Sequence, residues 1–474
     1  MEKILKVDIA VIGAGAGGLS VAAGAVQMGA SVVLIESGKM GGDCLNYGCV
    51  PSKALLAAAN TAHQIRNAQE FGITAQQPEI KLSSVMASVR KVIDKIAVHD
   101  SIERFEKLGI NVIQANAVFQ DDKTLKAGDT LIKAKRFVIA TGSSPSTPPI
   151  KGLEILPFYT NETIFNLTDN PSHLIIIGGG PIGCELAQAF LLLGIHVTVL
   201  EAFNVLPRDE QDLVAILRET LLNQGLVLHE KINIAECKPH PEGIEICAEK
   251  EGKPFSIIGS HLLIAAGRCA NVNDLNLDAA TVKYSSKGIQ VDSCLRTSNP
   301  RIYALGDVIG TYQFTHVASY HAGIILRNVL FKMHAKTNYN AVPWVTYTHP
   351  ELAHVGLSSS DALKHDPQAQ FYCVDFADND RAQAERDTVG KIKLITNKKG
   401  LILGVSILGP HAGELLFPWI DAIKNKKKIR CMTDIIVPYP TLSEISKRVA
   451  GEYYTPLLFS KRTRWIVRFL SLLC

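Results

Sequence analysis

Val7-Asp8-Ile9-Ala10-Val11-Ile12-Gly13-Ala14-Gly15-Ala16-Gly17-Gly18 decides the fold. A short apolar run breaks into glycines and then into an Ala-rich stretch that reaches Met28. A second β-rich run, Ser31 to Ile35, follows and closes on Glu36. That order predicts strand, tight turn, helix and strand. The same grammar returns 165 residues later, when Leu174–Ile177 leads into Gly178-Gly179-Gly180-Pro181-Ile182-Gly183. A helix to Leu193 and a run from His196 to Leu200 then close on Glu201. Both copies place the acid 23 positions after the first glycine. Two such units predict two dinucleotide sites or two halves of one sheet.

Each glycine has its own task. Gly13 and Gly178 permit the turn, Gly15 and Gly180 let a pyrophosphate approach the backbone, and Gly18 and Gly183 let helix and strand pack closely. Free N–H groups and the positive helix end then face the phosphates. Glu36 and Glu201 are placed to accept hydrogen bonds from ribose hydroxyls. A carboxylate at 201 repels a 2′-phosphate, so the sequence favours NADH over NADPH. Each unit is followed by another apolar strand ending in small residues, Phe137–Ile139 into Ala140-Thr141-Gly142 and Leu262–Ile264 into Ala265-Ala266-Gly267. Ser and Pro crowd residues 143–151, which reads as an interdomain link that forms neither helix nor ladder. The chain turns helical from His316 to Lys332 and is mixed α+β from about Val342.

Composition removes other classes. Apolar residues make up 47% and charged residues 20%, a globular mix, and a formal charge of +4 over 474 residues gives no reason to expect nucleic acid. Ten Cys are too few for a disulfide scaffold, and no Cys/His cluster has metal-ligand spacing, so no metal is expected. The first residues carry neither a signal-peptide nor a transit-peptide pattern, and no apolar run reaches the length of a membrane span. A cytoplasmic, reducing setting is the expectation, and there a special Cys pair is more readily catalytic than structural.

That pair lies in Gly41-Gly42-Asp43-Cys44-Leu45-Asn46-Tyr47-Gly48-Cys49-Val50-Pro51-Ser52-Lys53, which opens a helix. On a regular helix five residues rise ~7.5 Å, too far for a bridge between Cys44 and Cys49. A bridge needs a distorted first turn, which Gly48 can permit. A thiol at a helix N-terminus is acidified, and so becomes a good nucleophile and leaving group.

With these segments the chain resembles the pyridine nucleotide–disulfide oxidoreductases, the group of dihydrolipoyl dehydrogenase, glutathione reductase and mercuric reductase. The resemblance covers essentially the whole chain and adds Glu185, Gly306-Asp307, Tyr347-Thr348-His349-Pro350-Glu351 and Pro440-Thr441-Leu442-Ser443-Glu444 to the matching pieces. It implies an α/β fold with two Rossmann-like dinucleotide-binding domains and a C-terminal α+β dimerisation domain. Residues 1–150 and 272–341 would bind FAD and carry the redox disulfide. Residues 151–271 would bind NAD(H), and 342–474 would make a homodimer. By the same resemblance Cys49 lies against the flavin as a thiolate and Cys44 exchanges with substrate. Lys53, paired with Glu185, sits beside the flavin ring. Asp307 bonds the ribityl chain, and the backbone around Thr315, His316 and Val317 faces the pyrimidine end. The chain is thus expected to be an enzyme, a flavoprotein disulfide oxidoreductase.

One position departs from the pattern. Disulfide reductases of this group carry a catalytic His before Pro-Thr-Leu-Ser-Glu, and this chain carries Tyr439 there, which leaves Glu444 without its usual partner. A His titrates near ~6.5 and shuttles protons, whereas a Tyr titrates near ~10 and is a poor base. Mercuric reductases share the Tyr but end in a Cys pair, where this sequence has the single Cys474. The resemblance makes a small or protein-bound disulfide of the dihydrolipoyl type the expected acceptor, and Tyr439 makes a thiol-bound metal ion such as Hg(II) the alternative. A membrane-associated NADH:quinone reductase is a further alternative. It draws on the tail 460–474, where Trp465, Ile466, Phe469, Leu470, Leu472 and Leu473 fall near one helical face among four basic residues. Such a helix either docks on its own dimer or touches a membrane surface.

Overall fold

Ile9, Ala10, Val11 and Ile12 are buried at the end of a ten-residue strand, Lys3–Ile12, whose first half meets solvent. The computed structural model describes residues 3–472 and sets this strand inside a largely parallel sheet. Val32–Glu36 pairs with it on one side and Thr130–Ile139 on the other, with Ile12 opposite Ile35 and Ile139. Parallel neighbours need a crossover, supplied by the helix Ala16–Gln27. Asn111–Gln114 extends the sheet on the Val32–Glu36 side, and Ile302–Ala304 joins Thr130–Ile139. Val32–Ile35 is buried at every position because helices and loops cover both faces of a parallel sheet. Phe119 and Phe137 meet edge to face in this core, with centroids 5.5 Å apart. Burying each such ring stabilises the fold by about 1.5–3 kcal/mol.

The second glycine unit builds a four-stranded sheet in the order Val227–Glu230, His196–Glu201, His173–Ile177, His261–Ile264. Ile175, Ile177, Leu200, Leu262 and Ile264 form its core. An antiparallel meander, Asn233–His240, Gly243–Lys250 and Lys253–Gly259, follows His196–Glu201 in the chain. The link expected over 143–151 is in part a ladder: Ser143–Pro145 pairs antiparallel with Arg268–Ala270. Local Ser and Pro preferences give way there to a partner more than a hundred residues away.

Contacts divide the chain into two compact units. One joins the chain up to Ala202 with Leu228–Asn338, and the other joins Phe203–Val227 with the chain from Tyr339 onward. The second unit holds a five-stranded antiparallel sheet in the order Pro343–Thr346, Glu351–Gly356, Ile402–Gly409, Lys391–Thr396, Gln370–Asp375. Trp419 and Phe376 are fully buried against it. Phe203–Val227 is fastened within this unit by polar contacts: Lys393 Nζ lies 2.7 Å from Glu210, and Trp344 Nε1 donates to Asp209 at 2.8 Å. Among the described residues no helix is long and apolar enough to cross a membrane.

Candidate active site

The two glycine loops share their contacts. A Cβ on Gly13 would stand 2.4 Å from the carbonyl oxygen of Ala140, and one on Gly178 would stand 2.4 Å from that of Ala265. A Cβ on Gly18 or Gly183 would meet the carbonyl oxygen of Gly13 or Gly178 at 1.9 Å. These four glycines are demanded by packing. The middle glycines are not: Gly180 has nothing within 4 Å, and Gly15 has only the Cα of Gly42, at 3.9 Å. Gly142 and Gly267, both at positive φ beyond the companion strands, are also open. Each loop thus leaves a cradle that a side chain would fill, in front of the helices Ala16–Gln27 and Pro181–Leu192. That shape fits a dinucleotide pyrophosphate on N–H groups and the helix dipole. Glu36 accepts the N–H of Ala14 at 2.6 Å and that of Gly38 at 2.7 Å, while Glu201 accepts the N–H of Gly179 at 2.5 Å. Each acid braces its own glycine loop. Thr141 and Asn271 bond each other reciprocally, hydroxyl to carbonyl at 2.8 Å and amide to carbonyl at 2.9 Å.

The cysteines lie on two helices rather than one distorted turn. Cys44 sits in Gly42–Asn46, and Cys49 opens the nineteen-residue helix Cys49–Asn67. The break falls at Tyr47 and Gly48. A side chain at 48 would press on Asp43 and on the Cα of Cys44, at 3.0 and 3.3 Å. Cys44 and Cys49 stand next to each other with their sulfurs in hydrogen-bond contact. The hydrogen bond between the sulfurs divides their acidity. It draws Cys49 down to about 6, helped by the Thr315 hydroxyl and the Lys53 charge against the opposing effect of burial. It drives Cys44 upward, and burial adds to that rise. Placement at the first position of a long helix also favours the Cys49 thiolate.

Lys53, one turn further along, forms an ion pair with Glu185 at 2.7 Å. Glu185 is buried on Pro181–Leu192, so the second glycine helix reaches the cysteine helix through this pair. Thr315, the first residue of Thr315–Leu330, places its hydroxyl 3.5 Å from Cys49 Sγ. His316 stacks on Phe314 at 5.2 Å. Asp307 accepts from the Ser143 hydroxyl at 2.6 Å, and burial raises its pKa. Arg268 donates to that same hydroxyl at 2.8 Å and lies 3.2 Å from Asp43. Asn161 grips Asp43 as well, at 3.1 Å.

Sequence reasoning missed the Thr315 side chain, Asn161 and Arg268 as parts of this site. A buried-charge argument could have flagged Arg268, since Asp43 and Asp307 both need a cation. In the other unit, Tyr439 donates to Asp380 at 3.0 Å, and this bond raises its pKa. Glu444, at the start of Glu444–Glu452, accepts from the Thr441 N–H at 3.4 Å. Cys474 and Leu473 lie outside the described residues.

Comparison with known proteins identifies the family. The family described as pyridine nucleotide-disulphide oxidoreductase matches residues 7–322, and its dimerisation domain matches 342–450. A mercuric reductase from Streptomyces lividans is 33% identical over 454 residues, covering 94% of this chain and 96% of that protein. A dihydrolipoyl dehydrogenase from Bacillus subtilis is also 33% identical, over 445 residues, covering 92% of this chain and 96% of that protein. Among solved structures, the Cu(II) complex of the HOCl-induced flavoprotein disulfide reductase RclA from Escherichia coli aligns with a TM-score of 0.85 at 26% identity. It covers 94% of this chain and 99% of that one.

Proposed function

The chain belongs to the pyridine nucleotide-disulphide oxidoreductases, flavoprotein enzymes that use FAD and a pyridine nucleotide, and on that premise we propose that it is an NADH-dependent, homodimeric reductase whose Cys44 and Cys49 deliver electrons to a soft metal ion. Cys49 is the observation that carries this reading: an acidified thiol hydrogen-bonded to Cys44, with Lys53, ion-paired to Glu185, on its own helix.

The first glycine loop with Thr141, Gly142 and Asp307 would hold FAD. The second loop with Gly267 and Glu201 would hold NADH. FAD, when bound, supplies the ring that passes electrons from the nicotinamide to the sulfurs. The chain's own residues do the rest. Lys53 stabilises negative charge beside the pair, while Glu185 fixes where that cation stands. The Thr315 hydroxyl and the helix start hold Cys49 as a thiolate. Asp43, gripped by Asn161 and Arg268, keeps the turn that carries Cys44 in place.

A soft cation displaces the thiol protons itself as it binds the sulfurs, whereas exchange with a disulfide substrate needs a group that protonates the leaving thiolate and, in reverse, acts as base on the dithiol. Tyr439 is no such base. Its hydroxyl is already donating to Asp380, and its pKa is raised rather than lowered. This is what favours a metal ion over a dihydrolipoyl-type disulfide, the second reading, which the likeness to dihydrolipoyl dehydrogenase supports. A quinone acceptor leaves the cysteine pair without a task.

The test is NADH oxidation by the purified dimer with Hg(II), Cu(II), lipoamide, oxidised glutathione or a quinone as acceptor. Turnover with a metal ion that is lost in Cys44→Ser supports the proposal. Lipoamide turnover by the unaltered enzyme, with none on metal ions, overturns it in favour of the disulfide. Tyr439→His should add lipoamide activity.

A further inference from the structure

The helix Lys461–Leu470 is well formed and buries none of its ten residues. Ser460 caps it, accepting the Thr463 N–H at 3.1 Å, and the Thr463 hydroxyl ties the cap to the Leu457 carbonyl at 2.7 Å. Successive residues turn by about 100°. Trp465, Ile466, Phe469 and Leu470 therefore share an arc of about 140°, and Lys461, Arg464 and Arg468 cluster within about 60° along its Trp465 edge. Arg462 alone interrupts the apolar side, at the first turn. Trp465 is 66% exposed, and its ring stacks on that of Phe469 at 5.8 Å, so the two form one projecting aromatic plate. Leu457, Leu458 and Phe459, just before the cap, are exposed too.

The charge pattern says what this face meets. No acidic residue follows Glu452, and the four cations of the helix equal the formal +4 of the entire chain. The remainder of the protein is neutral overall. A second copy would bring the same four cations against these, which opposes pairing of two such helices. The helix is ~15 Å long, about half of what a membrane crossing needs.

We propose that residues 457–472 form a surface anchor that lies in the plane of an anionic lipid bilayer, with the Trp465–Phe469 plate among the acyl chains and Lys461, Arg464 and Arg468 at the headgroups. Aromatic rings of this kind favour the boundary between lipid and water, and basic residues add attraction to anionic headgroups. The proposal does not rest on the identity of the electron acceptor.

Co-sedimentation of the full-length protein with vesicles tests it, using phosphatidylcholine alone and phosphatidylcholine mixed with phosphatidylglycerol. Binding should be confined to the mixed vesicles and weaken with salt. Each cation replaced by Gln should weaken it roughly fivefold. A Lys461→Gln, Arg464→Gln, Arg468→Gln variant that binds as tightly as the native protein overturns the proposal, as does equal binding to both vesicle types. Bromine-labelled acyl chains should quench a fluorescence component that disappears in Trp465→Phe. An unquenched Trp465 overturns the orientation. Sedimentation of Trp465→Ala, Phe469→Ala in solution separates the alternative: dissociation of the dimer would assign this face to a second copy of the chain.

Discussion

The two glycine units agree contact for contact and differ in what is laid over them. In the first, Gly41 donates to the Ala14 carbonyl at 2.9 Å and pairs with Gly15 as an isolated bridge. Gly42 packs so closely that a Cβ on it would stand 2.7 Å from the Cα of Gly15. In the second, Gly180 has nothing within 4 Å. A loop with a strap across it suits a cofactor that stays, and an uncovered loop suits a nucleotide that exchanges each turnover. The strap reaches Cys44 two residues after Gly42, so the proposed retention of the cofactor and the proposed redox chemistry fall on one stretch of chain.

Removing sulfur from the strap should have the largest effect. Cys49→Ser is expected to lower acceptor-dependent NADH oxidation on the order of a thousandfold, since a hydroxyl is a far poorer nucleophile and ligand than a thiolate. FAD content should not change, because the glycine contacts are untouched. Stopped-flow turnover and the flavin-to-protein absorbance ratio check both halves. A variant that loses flavin along with activity would show that Cys49 also holds the strap down.

Acid should act next most strongly, and on the side proposed to hold FAD. His321 is fully buried under Gly306, accepting its N–H at 3.2 Å, and burial lowers its pKa to about 4. The unfolded chain has the ordinary His value of ~6.5, so the native state binds fewer protons over that interval. Stability is full above pH 6.5 and falls as the pH drops toward 4, by about 3 kcal/mol at most. Gly306 adjoins Asp307, so flavin release should follow the same curve. Denaturant melts and released-flavin fluorescence between pH 7 and pH 4 measure both. In His321→Asn this part of the slope should be absent.

The fold was legible because its signals are local. Strand, glycine spacing and acid all lie within 30 residues, and both copies could be read from one rule. Lys53 and Glu185, which the structure brings together, stand 132 residues apart and were reachable only through resemblance to relatives. Thr315 against Cys49, and Asn161 and Arg268 around Asp43, are contacts between segments over a hundred residues apart with no motif attached. The partner of Tyr439 was invisible for the same reason. An Asp at 380 looks like any helix-start acid until the chain turns back on it. The ladder at Ser143–Pro145 shows the converse, a local signal overruled by its partner strand.

Glycine replacements break the comparison from either side. Gly42 has a φ of +62°, and a Cβ there meets backbone, so Gly42→Ala should cost about 1–3 kcal/mol and lower FAD occupancy. Gly180 has an ordinary φ of −74° and open space, so Gly180→Ala should leave the melting temperature unchanged. A methyl group in the cradle should nonetheless raise the KM for NADH about tenfold by holding the pyrophosphate off the loop. Differential scanning fluorimetry with steady-state kinetics separates the two results. Equal loss of stability in both variants would erase the distinction between strapped and open loops.

The smallest expected effect concerns the acids, which occupy the same place in both copies. Glu201 closes its strand against the Gly179 N–H as Glu36 does against Ala14. If the second loop takes the exchanging nucleotide, only Glu201 faces a choice between a ribose hydroxyl and a 2′-phosphate. Glu201→Gln removes one charge while keeping a side-chain oxygen for Gly179. The ratio of kcat/KM for NADPH to that for NADH should then rise several-fold, up to about tenfold for ~1.4 kcal/mol of relieved repulsion. Glu36→Gln should leave that ratio where it was. Were the Glu36 variant to shift it instead, the exchanging nucleotide would belong under the strap, and the assignment of the two loops would have to be reversed.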